Sequence, residues 1–296
     1  MTYAAAGLAA GRATLAQERT AIVATSMADG VVLLTGAGCN VLAVVAADGV
    51  TLVDGGLAEN SAALLGAVAT QAGGRRVTTL LNTHWHSDHT GANETLGRGG
   101  AAIVAHANTR RWLASDVYRE QQERRYPRRP AEAWPTRVLT SKTTFTAGDV
   151  RMEVGPLPPA HTNGDLYVYL PAQNILMVSD ILTPGRYPVP DYSTGGWING
   201  LIDAAAVLEG IANTDTRIVP GLGPLQTVAA LRAQRQMLVT VRDRVWTSVR
   251  QGKSLQEVTA EAPTREFDAE RGANEAFIKA TYVGLVRHSR QLGGVL

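Results

Sequence analysis

The sequence predicts a mixed α/β fold in which two sheets pack together with helices outside. Three observations carry this. Short Val- and Leu-rich runs split by turns fill the first half. Strand-like runs return after residue 137, with helical composition between and after them. In the last third, Val228, Leu231, Leu238, Val241, Val245 and Val249 fall three, four or seven apart, which is one stripe of a long amphipathic helix. A chain of 296 residues, 45% of them hydrophobic, buries a sizeable core in one large domain or two small ones. Its 30 Gly and 13 Pro are an ordinary loop content, which excludes collagen and disorder.

Taken in order, strands are expected at 31–35, 40–46 and 50–54, with Asp48-Gly49 as the hairpin signal between the last two. Asp54-Gly55-Gly56 ends that meander, and a helix over 58–71 stops at Gly73-Gly74. A strand at 77–82 runs into a histidine cluster. A short strand at 103–105 and a helix near 108–117 follow. Residues 118–137 carry six Arg and three Pro. They read either as a lid or anion-binding loop or as a solvated surface excursion, and the interspersed acidic residues favour the latter. Further strands are expected at 138–145, 150–154, 166–170 and 175–179. A helix from Trp197 to 212, a strand at 217–219, the long helix from 226 and a last helix at 274–290 complete the chain.

A net charge of +2 is too small to demand a nucleic acid or an anionic membrane as partner, so a small-molecule substrate is expected. No apolar run approaches the roughly 20 residues of a membrane-spanning helix. Residues 1–15 are Ala-rich, but Arg12 interrupts them and no signal peptide is read there. A cytoplasmic protein is expected, or a periplasmic one whose leader was removed. Cys39 is the sole cysteine, which excludes an internal disulfide and a cysteine-rich metal site, and it reads as a packed core residue. The sequence has no Gly-x-Ser-x-Gly elbow, Ser-x-x-Lys pair, Walker loop, Gly-x-Gly-x-x-Gly turn or His-Glu-x-x-His helix.

The sharpest feature is Thr83-His84-Trp85-His86-Ser87-Asp88-His89. Four potential ligands fall within six residues, directly after an apolar strand. Alternation along an extended chain points His84 and His86 to one side, and Trp85 to the other for core packing. A turn then lets Asp88 and His89 face a second ion. Imidazole with carboxylate suits Zn²⁺ or a similar divalent metal, with Fe or Mn as alternatives. Burying these groups without a cation is costly.

This His-x-His-x-Asp-His segment resembles the metallo-β-lactamase fold superfamily, which includes glyoxalase II, lactonases, ribonuclease Z and the zinc β-lactamases. Downstream landmarks follow in order: Pro159-Ala160-His161-Thr162-Asn163-Gly164-Asp165 resembles the third-histidine segment, and Val178-Ser179-Asp180 the strand end with the bridging aspartate. Asp54-Gly55-Gly56 resembles the early aspartate turn. The resemblance implies a four-layer αββα sandwich, core about 30–225, with C-terminal helices over about 226–292. It implies His84, His86 and His161 at a first metal, Asp88 and His89 at a second, and Asp180 bridging them. One landmark departs: in Pro220-Gly221-Leu222-Gly223-Pro224, Leu222 stands where relatives carry a histidine. Leucine offers no lone pair, so a weakened second site or a one-metal enzyme is implied.

The function this implies is metal-dependent hydrolysis, a zinc-bound hydroxide attacking the carbonyl of an ester, lactone, thioester or β-lactam, with Asp88 as general base. Asp180 fits a glyoxalase-II-like site better than a typical β-lactamase one. Alternatives are a mononuclear iron enzyme oxygenating sulfur compounds, a non-catalytic binding descendant favoured only by Leu222, and, more weakly, a nuclease. Tyr187, Tyr192 and Trp197 are candidates for the substrate loop, weighed equally against simple loop packing. His106 is expected to be structural and His288 to lie on the surface.

Overall fold

The computed structural model describes residues 21–291. The segment at 1–15, read above as lacking a signal peptide, lies outside the described residues. In chain order the elements are β1 (Val23–Ala28), β2 (Val31–Thr35), β3 (Val41–Ala46), β4 (Gly49–Val53), α1 (Ser61–Gln71), β5 (Val77–Leu81), α2 (Asn93–Arg98), β6 (Ala102–His106) and α3 (Ala107–Leu113). Then come β7 (Val117–Arg119), β8 (Arg124–Tyr126), β9 (Arg137–Leu139), β10 (Thr143–Ala147), β11 (Val150–Pro156), β12 (Leu166–Leu170) and β13 (Ile175–Ser179). The last are α4 (Ile198–Ile211), β14 (Arg217–Pro220), α5 (Val228–Arg250), α6 (Leu255–Ala260), α7 (Asp268–Arg271) and α8 (Glu275–Gln291).

Two sheets form, ordered β1-β2-β3-β4-β5-β6-β9 and β10-β11-β12-β13-β14, while β7 and β8 pair by themselves. The period-2 alternation of strand side chains decides what each face meets. Val31, Leu33, Leu42 and Val44 point inward and meet Met152, Val154, Val168, Leu170, Ile175 and Met177 of the second sheet. Val32, Leu34, Val41 and Ala43 point outward under Leu64 and Val68 of α1 and Leu96 of α2. Leu176 and Val178 point outward on the second sheet, where α4, α5 and α8 cover them. These three cores make the layers α, β, β, α. Strands buried on both faces explain why their sequences read as continuous apolar runs.

Three expectations need correction. The strand expected at 138–145 is two strands in different sheets: β9 closes one edge of the first sheet and β10 begins the second. The chain crosses at Thr140, Ser141 and Lys142, which are exposed and polar and can leave a sheet at little cost. The helix at 58–71 begins with a 3₁₀ turn, Ala58–Asn60. The helix near 108–117 ends at Leu113, because Val117 is drawn into β7.

β4 and β5 are parallel, as are β13 and β14, and the Thr83 hydroxyl just after β5 lies 2.8 Å from that of Ser179 at the end of β13, so all four strands deliver their carboxyl ends to the same side. Asp54, the segment 82–91, Asp180 and Gly221 all leave strands there. This is the edge where open α/β sheets place their ligand sites. Among the described residues no helix is long and apolar enough to cross a membrane.

Candidate metal centre

Buried Asp54 organises the edge. Its Oδ1 accepts from the Thr83 amide at 2.8 Å and its Oδ2 from the Thr83 hydroxyl at 2.7 Å, so the loop leaving β5 is tied to the end of β4. Asp54 holds a left-handed φ of 65°, a strained conformation for a non-glycine residue that these bonds stabilise. Thr90 bonds back to the carbonyls of Trp85 and His86, closing the turn. Trp85 packs with Leu113 and Val117, as expected, its Nε1 donating to Thr194, and its ring also meets the His86 ring edge to face at 4.9 Å between centroids.

Three rings converge from two segments 75 residues apart. His84 Nε2 and His161 Nε2 each lie 3.0 Å from His86 Nδ1. Asp180 Oδ2 stands 3.4 Å from His161 Nε2 and 3.9 Å from His84 Nε2. Nitrogens bonded to one tetrahedral zinc sit about 3.3 Å apart, so this spacing fits a shared ion.

Hydrogen bonding assigns the protons. The Asp191 carboxylate takes a bond from His86 Nε2 at 2.9 Å, which leaves Nδ1 bare. The Thr83 hydroxyl spends its only proton on Asp54, so its oxygen can only accept from His84 Nδ1 at 3.2 Å, which leaves Nε2 bare. Two unprotonated lone pairs therefore face one another inside the protein, an arrangement that repels unless a cation lies between them. The donor set fits a divalent metal on that ground. Burial, followed by the charges of neighbouring histidines, pushes His84 well below the ordinary imidazole range. Burial and then Arg119 bring His86 down to about 4. Both rings are neutral at pH 7, as metal ligands must be.

A second cluster adjoins the first. His89 Nε2 lies 3.5 Å from Asp88 Oδ2 and 3.5 Å from Asp180 Oδ1. Asp180 thus shows one oxygen to each cluster. His89 Nδ1 is held by Asp54 Oδ2 at 2.8 Å. Burial opposes a charge on His89, yet its ring lies well above the ordinary range. Cys39 is the next neighbour, but burial pushes its thiol up and keeps it neutral, so the carboxylates of Asp54, Asp180 and Asp88 hold the proton. Burial likewise pushes Asp180 up, and His89 and His161 outweigh it, leaving it well below the carboxylate range.

The turn carrying Leu222 is clamped by Asn40, whose Nδ2 donates to Pro220 O and Gly223 O at 2.9 Å each. A Cβ on Gly221 would lie 1.9 Å from Asp180 Oδ1, so only glycine allows the turn to approach so closely. Leu222 itself is exposed.

Cys39 is a core residue, as expected, but its sulfur lies within 4.8 Å of ligand atoms of Asp54 and His89, a placement its sequence context did not show. Tyr187 stacks on Phe277 at 4.9 Å between centroids and donates to Asp268 at 2.7 Å, in the layer of C-terminal helices. Tyr192 is buried beneath the Arg287 guanidinium. Trp197 stacks on His288 at 3.8 Å. All three aromatics of the 183–197 stretch are engaged in packing. His288 is half-buried by the same stack, where a surface position was expected. His106 caps α3, accepting from the Asn108 amide, a structural role.

Sequence reasoning missed the roles of Asp191 and Arg119. Asp191 lies 105 residues from His86, beyond the reach of any local pattern. Arg119, one of six arginines in the excursion, is the buried one that reaches the site, with Nε 3.1 Å from Asp191 Oδ2. Arg124, Arg125 and Arg128 are exposed, as the solvated reading expected.

A two-sheet α/β sandwich with histidine and aspartate ligand groups gathered at the carboxyl edge of its strands is the architecture of a known superfamily. The model of the Metallo-beta-lactamase superfamily matches residues 34–225, and the chain belongs to that superfamily. Among solved structures, a metallo-beta-lactamase from Pontibacter korlensis aligns with TM-score 0.60 at 22% identity over 74% of this chain and 99% of that one. The DIM-1 metallo-beta-lactamase aligns with TM-score 0.58 at 19% identity over 74% and 97%. The same enzyme exposed to ceftazidime gives TM-score 0.59 at 18% identity over 76% and 99%. These likenesses establish the fold. No curated protein sequence gives a match.

Proposed function

We propose that the chain is a metal-dependent hydrolase of carbonyl substrates: esters, lactones, thioesters or β-lactams. The observation that carries this is the pair of bare imidazole nitrogens, His84 Nε2 and His86 Nδ1, 3.0 Å apart and joined by His161. His84, His86 and His161 would hold a first ion, with Asp88 and His89 at a second and Asp180 between them. Zinc suits this mixture of borderline and hard donors. A bound divalent ion supplies a water of lowered pKa and a Lewis acid toward the carbonyl oxygen. Asp88, with its carboxylate partly exposed beside His89, orients the attacking water and takes its proton. Asp54 and Asp191 hold the rings of His89 and His86 at fixed angles. The deciding experiment is turnover of an ester, lactone, thioester and β-lactam panel by metal-loaded protein, with loss of all turnover on chelation. A loaded protein inert to the whole panel contradicts the proposal.

Leu222 leaves the second cluster with three protein ligands, which also favours a mononuclear centre such as the iron site of a sulfur-oxygenating enzyme. Elemental analysis of protein purified without added metal separates the readings: zinc supports hydrolysis, and iron supports oxygenation. Leu222→His is expected to tighten the second ion by about tenfold or more, 1.4 kcal/mol in binding. Titration calorimetry checks this, and unchanged stoichiometry and affinity contradict it.

The second ion should also depend on pH. His89 must release its proton to bind a metal, and its pKa is raised. Affinity there is therefore expected to rise with pH, about tenfold per unit for each proton displaced, until His89 is neutral. Calorimetry in buffers of different ionisation enthalpy counts the protons released. Binding that is independent of pH with no proton release contradicts the assignment.

A further inference from the structure

The paired strands β7 and β8 look like decoration on the sandwich, yet one of their side chains reaches the metal centre. Arg119, at the end of β7, is buried, and its Nε lies 3.1 Å from Asp191 Oδ2. The same oxygen is 2.9 Å from His86 Nε2. Asp191 is fully buried, and its other oxygen accepts from Gln121 Nε2 at 3.0 Å and from the Ser193 amide at 3.1 Å. Its own amide donates to His161 O at 2.7 Å. Asp191 thus touches both segments that carry the rings, His86 through its carboxylate and His161 through its amide.

Burying a carboxylate with no exposed surface is costly unless it is both hydrogen-bonded and paired with a countercharge. Arg119 is that countercharge. Its guanidinium is itself fixed between Trp85 at 5.9 Å and Tyr126 at 5.7 Å from the ring centroids. We infer that Arg119 is a positioning residue of the metal centre, acting through Asp191 to fix the His86 ring, so that the excursion at 117–126 is a structural part of the site. The inference rests on the metal-binding reading above, but its test measures binding and not turnover.

The test compares Arg119→Gln and Arg119→Lys with Glu120→Gln. The last breaks a separate, exposed tether of the same excursion, the pair of Glu120 with Arg287. Zn²⁺ affinity is measured by competition with a chromophoric chelator, the Co²⁺ absorption band reports ligand geometry, and the melting temperature of metal-free protein reports general stability. Arg119→Gln is expected to weaken the three-histidine site by about 10- to 100-fold and to alter the Co²⁺ band. Arg119→Lys restores the charge without the flat guanidinium seated between Trp85 and Tyr126, and is expected to fall between, about three- to tenfold weaker than the parent. Glu120→Gln is expected to bind as the parent does, whatever its melting temperature. Parental affinity in Arg119→Gln overturns the inference, as does an equal loss in Glu120→Gln. If Arg119→Gln does not fold, Arg119→Lys against Glu120→Gln makes the same comparison, and equal affinities overturn it. A parent chain that takes up no metal overturns the functional reading along with it, whereas a metal-binding parent with an indifferent Arg119 overturns this inference alone.

Discussion

His161→Ala is expected to abolish high-affinity binding at the three-nitrogen cluster and to lower kcat/KM by at least about 10³-fold, or about 4 kcal/mol of transition-state stabilisation. The reason is geometric. His161 is the only ligand of that cluster from the β11–β12 connection, and its Nε2 completes the set with His84 and His86. The fold is expected to survive. The backbone of residue 161 keeps its bond to the Asp191 amide, and the lost ring meets the His84 and His86 rings edge to face, at 4.9 and 4.8 Å between centroids. Chelator competition and melting curves on the same sample check both halves. Parental metal affinity in the variant contradicts the assignment of His161.

Gly221→Ala is expected to displace Asp180, the carboxylate that faces both clusters. The new carbon would lie 1.9 Å from Asp180 Oδ1, so either the turn or the aspartate must move. The turn cannot yield easily, because the Asn40 amide donates to Gly221 O at 2.7 Å and the Asn40 side chain holds the residues on either side. Asp180 moves, and with it the one carboxylate that faces both clusters. The expected outcome is loss of the second ion, a fall in activity on the order of 10²-fold, and a stability loss of about 1–3 kcal/mol from overpacking. Metal stoichiometry with urea unfolding checks this, and two ions at parental affinity contradict it.

Much of the candidate site is legible in the chain because the residues proposed as ligands sit at strand ends with rigid local spacing. His84, His86, Asp88 and His89 fall in one turn, so their spacing groups them, whereas His161 and Asp180 are located by the resemblance of their segments to those of the superfamily. The residues that hold those ligands have no such signature. Asp191 and Arg119 meet His86 only after three distant segments converge, and Arg119 is hidden among arginines that face solvent. The fold shows the same division. Strands β12 and β13 agree with their expected ranges, because continuous apolar runs mark strands buried on both faces. The passage from β9 to β10 was read as one strand because β propensity does not report which sheet a residue joins. Helix α6 carries a signal that went unused: Ser254 and Glu257 form a capping box. β1 has four exposed residues in six and offers no periodicity to find.

If three imidazole nitrogens share a cation, anomalous diffraction at the zinc edge from crystals grown with zinc locates it. A peak is expected about 2.0–2.1 Å from each of His84 Nε2, His86 Nδ1 and His161 Nε2. A metal bound elsewhere, or rings at this edge with no anomalous peak between them, contradicts a shared cation.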